Sequence, residues 1–342
     1  MISLLVILLI ILNLSIFLTF DKFAKIINVY DTPDKKLKLH KKKTPILGGL
    51  ILVINYFIIF LFQIFYSNFF LSFEKRLLEV QDFFSIILLV ISFFLIGFYD
   101  DKKNLSPNKK IIISIFVIFL SLFISQNLQI DKISLSFYDH KIFFNKFSFI
   151  FTVFSILLFV NSLNFYDGIN GQSCFFFLII FIFLFLKDMN IFYLLTIILI
   201  FFILTLNLRN KLFLGDSGIF LLSIIASISL IFEHNINKNI LYADEIFFLL
   251  LFPGLDLVRL TVIRITKNKN PFYGDRNHIH HLLTKKFSIS NSNLILLIYA
   301  ITPIILFNVL NLNFYSSFLI FLFMYFVLVL IISSHDKKYN LN

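Results

Sequence analysis

Phe98-Tyr-Asp-Asp-Lys-Lys-Asn-Leu-Ser-Pro-Asn-Lys-Lys110 separates two long apolar runs, at about 83–99 and 111–126. Two adjacent carboxylates, Asp100 and Asp101, stand where a hydrophobic segment meets water, and lysines follow within a few residues. Hard oxygen donors suit Mg²⁺ and clustered cations suit phosphate, so the stretch reads as a site handling both at a membrane surface. The plainer alternative is a charged turn in which Asp101 caps the second of the two helices.

The runs on either side belong to a longer series. The chain has 342 residues, 59% of them hydrophobic and only 14% charged. A soluble domain has about a quarter of its residues charged. The apolar residues fall in stretches of roughly 18 to 22, the length of a helix crossing a bilayer. Eleven spans are expected, at about 2–20, 46–70, 83–99, 111–126, 147–163, 173–187, 190–207, 217–232, 245–264, 293–311 and 314–333. The fold class is therefore all-α, a polytopic transmembrane bundle, read as one domain over 1–342. The first run lacks a basic leader and a small-residue cleavage site, so it reads as a retained span. Lys187-Asp-Met-Asn190 reads as a tight helical hairpin, and Pro253 is expected to break the ninth span.

Lys and Arg set the orientation. Of 30, 23 fall in alternate loops beginning with 21–45, and seven fall on the other side. By the positive-inside rule the richer side is cytoplasmic, with the N-terminus outside and the C-terminus inside. The net charge of +11 does not indicate nucleic acid, because the lysines lie in loops between spans. One cysteine, Cys174, excludes an intrachain disulfide and a Cys-rich metal site.

Every polar island falls on the same basic side. In Asn161-Ser-Leu-Asn-Phe-Tyr-Asp-Gly-Ile-Asn-Gly171, Asn161, Asn164 and Asp167 are spaced by three and line one face of a helix end. Their oxygens suit a hard cation or the edge of a base such as uracil. Leu214-Gly-Asp-Ser-Gly218 places Asp216 and Ser217 at the N-cap of the eighth span, either as plain capping or as a metal ligand near a diphosphate. Asp275-Arg-Asn-His-Ile-His-His281 offers Arg276, His278, His280 and His281 as donors for phosphate or sugar oxygens. Zinc is the rival there, but no third ligand is obvious in the loop. Asp256, near the membrane, has Arg259 as its available partner. Lys43 with Gly48-Gly49 reads as an ammonium and an open backbone able to approach a lipid phosphate.

Together these islands resemble the polyprenyl-phosphate N-acetylhexosamine-1-phosphate transferases, of the glycosyltransferase 4 type. That family includes undecaprenyl-phosphate GlcNAc-1-phosphate transferases and the phospho-MurNAc-pentapeptide translocase of peptidoglycan synthesis. Asp-Asp followed by Leu-Ser-Pro and Lys appears as Asp100, Asp101, Leu105, Ser106, Pro107 and Lys110. Asn-x-x-Asn-x-x-Asp-Gly-x-Asp-Gly appears at Asn161–Gly171, with Asn170 where bacterial members often have Asp. Gly-Asp-x-Gly is Gly215 to Gly218, and Asp-Arg-x-His-x-His-His is Asp275 to His281. The His-Ile-His-His form and eleven spans look more like the GlcNAc-1-phosphate branch.

The resemblance implies a reaction of UDP-HexNAc with undecaprenyl phosphate that yields the lipid-linked diphospho-sugar and UMP, with Mg²⁺ or Mn²⁺ as cofactor. It further implies that Asp216 and Asn164 ligate the metal, and that Asp100 or Asp101 positions the metal–phosphate complex or accepts a proton. Lys110, Arg276 and the histidines would hold phosphate or sugar oxygens, while Asp167 and Asn170 would read the uridine. It places the site on the cytoplasmic face of the inner membrane and leaves a homodimer open. Initiation of O-antigen or another surface glycan fits as well as a wall pathway. The rival class is a secondary transporter, but such proteins place ion sites near the midplane with repeat symmetry, and no repeat is evident here.

Overall fold

The computed structural model describes residues 2–32, 43–65, 80–235, 241–268 and 277–333. It is an all-α bundle. In chain order its helices are α1 (Ile2–Leu18), α2 (Phe20–Ile27), α3 (Gly48–Phe65), α4 (Val80–Lys103), α5 (Pro107–Ile124), α6 (Ser148–Tyr166), α7 (Gln172–Asp188), α8 (Ile191–Leu208), α9 (Gly215–Asn235), α10 (Ala243–Thr266), α11 (Ile279–Thr284), α12 (Ile289–Ile304) and α13 (Phe314–Ser333). Eight of them, α4, α5, α6, α8, α9, α10, α12 and α13, are long and apolar enough to cross a membrane among the described residues. Helices α1 and α7, of 17 residues each, and α3 fall on the other three expected runs.

Helix α9 is the axis of the bundle, buried along nearly its whole length and packed against α3, α4 and α6. Small residues let its neighbours approach closely. A Cβ on Gly97 of α4 would lie 2.5 Å from the Ser217 backbone, and one on Gly49 of α3 would lie 2.5 Å from Gly218 N. Gly48-Gly49 thus admits the backbone of α9 rather than a lipid phosphate, correcting the sequence-based expectation. The entry to α3 is pinned there as well, since Gly48 N–H donates to Phe213 O and Gly49 N–H to Leu214 O, both at 3.1 Å.

Local chemistry fixes most helix ends. Pro107 opens α5, where its missing N–H costs nothing. The α7–α8 hairpin forms as expected: Met189 takes φ 50° and Asn190 accepts from Phe192 N–H at 2.9 Å. Pro253 does not break α10, which runs on through it. Packing against α6 and α12 keeps the helix intact despite one missing hydrogen bond. Pro303 does act on α12, whose last turn widens into a π turn over Ile305–Val309.

Two elements were not expected. Helix α2 bends 79° from α1 and is strongly amphipathic, with Phe20 and Ala24 buried and Lys22 and Lys25 exposed. A hairpin, β3 (Lys132–Leu135) with β4 (Tyr138–Phe143), covers the end of the bundle where α5 stops and α6 starts. At the opposite end β1 (Tyr30–Asp31) pairs antiparallel with β2 (Thr44–Pro45).

Candidate active site

The C-terminal ends of α4, α6, α8 and α10 and the N-terminal ends of α5, α7, α9 and α12 meet at the β1–β2 end of the bundle. A cavity of about 810 Å³ opens there, and its lining includes Asp31, Asp100, Asp101, Asp167, Asn170, Arg209 and Asp216.

One wall is built on Lys110. Its ammonium bridges Asp100, with which it is in direct contact, and Asp216 Oδ2 at 2.9 Å. Asp100 is buried, and its other oxygen accepts from Leu105 N–H, which closes the α4–α5 turn. Asp101 does not cap α5. It caps α9: Oδ1 accepts from Asp216 N–H at 2.9 Å, and Oδ2 accepts from Ser217 N–H at 3.1 Å and Ser217 Oγ at 2.6 Å. Asp216 consequently sits in the first turn of α9 rather than at its N-cap. A carboxylate at a helix start is favoured by the unpaired N–H groups there, and this one locks α4 to α9. Gly215 makes that possible, since its φ of +74° suits glycine and a Cβ would lie 2.7 Å from Asp101 Oδ2.

The facing wall is the turn between α6 and α7. Asp167 caps the end of α6 and accepts from Ser173 Oγ at 2.6 Å. Its side chain is exposed to the cavity. Desolvation by the protein around that cavity pushes its carboxyl up to about 6, against the Ser173 hydrogen bond and with a further rise from Asp101. Amides from other helices hold the turn. Asn170 Nδ2 donates to Asn210 Oδ1 at 2.6 Å, and Asn293 Nδ2 donates to Asn170 O at 2.7 Å. Asn207 accepts from Gly171 N–H and donates to Leu212 O.

Other expected residues sit outside these walls. Asn161 turns back on its own helix, donating to Leu157 O at 2.7 Å, and Asn164 is half-buried one turn before Asp167. Lys43 is exposed, its ammonium 4.7 Å from the Tyr30 ring centre. Arg276 lies outside the described residues. His278 and His280 are buried behind the α6–α7 turn, and neither they nor His281 line the cavity. Burial, then His281, His278 and Arg259, hold the His280 imidazole well below its ordinary range, so it is neutral at pH 7.

Sequence reading missed Asn207, Asn210, Asn293, Gln172, Ser173 and Arg209. Arg209 is the one to note for its charge: it is an exposed guanidinium on a cavity whose other charged lining residues are carboxylates.

The cluster fits a divalent cation by donor chemistry. Three carboxylates against one ammonium leave surplus negative charge, and all their oxygens are hard donors. Among the described residues no group of three or more His, Cys, Asp or Glu is placed so that it could hold a metal ion by itself; the Lys110 ammonium stands between Asp100 and Asp216 instead.

Residues 83–233 match the model of glycosyl transferase family 4. The stretch runs from the start of α4 almost to the end of α9. It contains Asp100, Asp101, Lys110, Asp167 and Asp216, whereas His278, His280 and His281 lie outside it. No curated protein matches the chain. The match supports a transferase activity in a membrane protein.

Proposed function

We propose that the protein transfers a HexNAc-1-phosphate, with GlcNAc-1-phosphate the leading candidate, from a UDP-sugar to undecaprenyl phosphate and releases UMP. The observation that carries this reading is the convergence of Asp100 and Asp216 on Lys110, with Asp101 bonded to the backbone of Asp216, beside one cavity and within the stretch matched to a transferase family. In the reaction a phosphate oxygen of the lipid attacks the sugar-bearing phosphorus. The phosphoanhydride bond breaks, and its electron pair leaves with UMP.

Each wall has a part in this. Asp216 and Asp100 would hold Mg²⁺ or Mn²⁺, while Asn164, the ligand the resemblance adds, stands one turn before Asp167 and outside the cavity lining. When bound, the ion neutralises the diphosphate and the charge developing on UMP. Lys110 presents an ammonium to the same phosphates. Asp101 spends both oxygens on the start of α9, so it fixes Asp216 in place rather than serving as a free base. Asp167 in its ionised form accepts from the uracil imide, and Asn170 offers an amide beside it. Arg209 supplies the cation that a cavity so rich in carboxylates needs to admit an anionic nucleotide.

The distribution of Lys and Arg supports a cytoplasmic position for this end, eleven spans, and the N-terminus outside. The product would start a lipid-linked envelope glycan. The test is UMP release by purified protein with undecaprenyl phosphate, Mg²⁺ and a panel of UDP-sugars. Release that requires both lipid phosphate and divalent ion is expected. Its absence with every common UDP-HexNAc would overturn the reading.

A further inference from the structure

The C-terminal half of helix α10 carries three charged residues that the proposed reaction does not use. Asp256 and Arg264 are buried, and Arg259 lies nearly so. Arg259 donates twice to Asp256 Oδ1, from Nε at 3.1 Å and Nη2 at 2.6 Å, and Nη2 also donates to Asn277 O at 2.7 Å. The other carboxylate oxygen, Oδ2, accepts from Ile279 N–H at 3.4 Å and faces His278 Nδ1 at 3.2 Å. The second ring nitrogen, Nε2, lies 3.5 Å from Arg264 Nη2.

These contacts define the tautomer of His278. A guanidinium has donors and no lone pair to offer, so Nε2 must be the acceptor. The proton therefore sits on Nδ1 and points at Asp256. Both ring nitrogens are engaged by α10, and neither is left for a substrate.

His278 leads on to the cavity through packing. Its ring stacks on Phe165 of α6 at 6.3 Å and on His280 at 5.2 Å, with interplanar angles of 17° and 11°. The His280 ring lies hard against Gly168, where a Cβ would fall 1.8 Å from Nε2. His280 Nδ1 is 3.3 Å from Gln172 Nε2. Gly168 borders the cavity beside Asp167.

We propose that Asp256, His278 and Arg264 form a positioning clamp that fixes one His278 tautomer and, through His280, sets the α6–α7 turn on the nucleotide side of the cavity. His278 is thus a positioning residue, not one that touches phosphate or sugar. The effect on turnover rests on the proposed transferase activity; the tautomer does not.

A glutamine can copy both contacts, its NH₂ donating to the carboxylate and its carbonyl accepting from the guanidinium. We expect His278→Gln to keep UMP release within about threefold, and His278→Ala to lose at least ~10-fold, mostly as a higher KM for the UDP-sugar. Nitrogen-15 NMR of histidine-labelled protein, with the His278 signal identified by its loss in His278→Gln, should show the Nδ1–H form. A His278→Gln variant that is folded but as impaired as His278→Ala would mean direct contact with substrate and overturn the clamp. So would an Nε2–H tautomer in the unaltered protein, whatever the activity. Should His278→Ala fail to fold, His278→Gln and the tautomer still decide. Absence of UMP release in the unaltered protein would remove the proposed activity and leave the tautomer measurement standing.

Discussion

The two ends of the bundle hold comparable numbers of acidic side chains and treat them differently. At the hairpin end each buried acid has at least one hydrogen-bonding or ionic neighbour among the described residues, although Glu233 keeps one oxygen unpartnered. Asp82 accepts from Ser125 Oγ and from Asn127 Nδ2, Asp244 from Ser136 N–H and Oγ, Glu245 pairs with Lys187, and Glu233 takes the Tyr193 hydroxyl at 2.6 Å. His234 links the backbones of Leu241 and Lys132 at 3.0 Å each. The cavity beside Tyr193 is only about 70 Å³, with mostly apolar walls. At the other end Asp100 and Asp216 share one lysine, Asp101 is held by the start of α9, and all three face about 810 Å³ of open space with Asp31 and Asp167. Buried charge that is locally matched holds helices together; charge in surplus on a cavity is available to a ligand.

The largest effect should come from crossing that divide. Asp216→Ala and Asp101→Asn are each expected to cut UMP release at least ~100-fold, the size of effect seen when a key electrostatic contact is removed. Asp244→Asn, at the hairpin end, should lower the melting temperature while turnover stays within about threefold. Thermal unfolding and UMP release measured on the same preparations check both. Losses below about fivefold in both site variants would erase the distinction.

Arg209→Ala sharpens it on the cation side. We expect KM for the UDP-sugar to rise about tenfold with kcat little changed, consistent with loss of a hydrogen bond to a charged group. The effect of acid should be of about the same size. Asp167 is ionised above about pH 6 and protonated below, and the ionised form is the acceptor for the uracil imide. UMP binding should therefore weaken about tenfold between pH 7 and pH 5, and Asp167→Asn should flatten that dependence. Calorimetric titration of UMP at both values measures it.

Much of the site was legible because its acids and amides stand at the ends of apolar runs, where a membrane helix has no structural need of them. That is how Asp100, Asp101, Asp167 and Asp216 came to attention. Their partners were not legible. Asp101 reaches across 115 residues of chain to the N–H of Asp216, and nothing local distinguishes that from capping α5. Asn207, Asn210 and Asn293 passed as ordinary polar residues near span ends, although the first two are spaced by three just before Gly215. Helix α2 did leave a signal in Phe20, Phe23, Ala24 and Ile27, an apolar face of one short helix, but it sat inside a loop read for its charge. Pro253 shows the reverse error, a strong local breaker overruled by packing on both sides.

The central claim, that surplus carboxylates at the open end hold a divalent ion, is tested most directly by titrating Mn²⁺ into the purified protein and following it by electron paramagnetic resonance. The account predicts one Mn²⁺ per chain, displaced by Mg²⁺, weakened at least ~10-fold in Asp216→Ala and unchanged in Asp244→Asn. Equal Mn²⁺ binding by Asp216→Ala and the unaltered protein would contradict it.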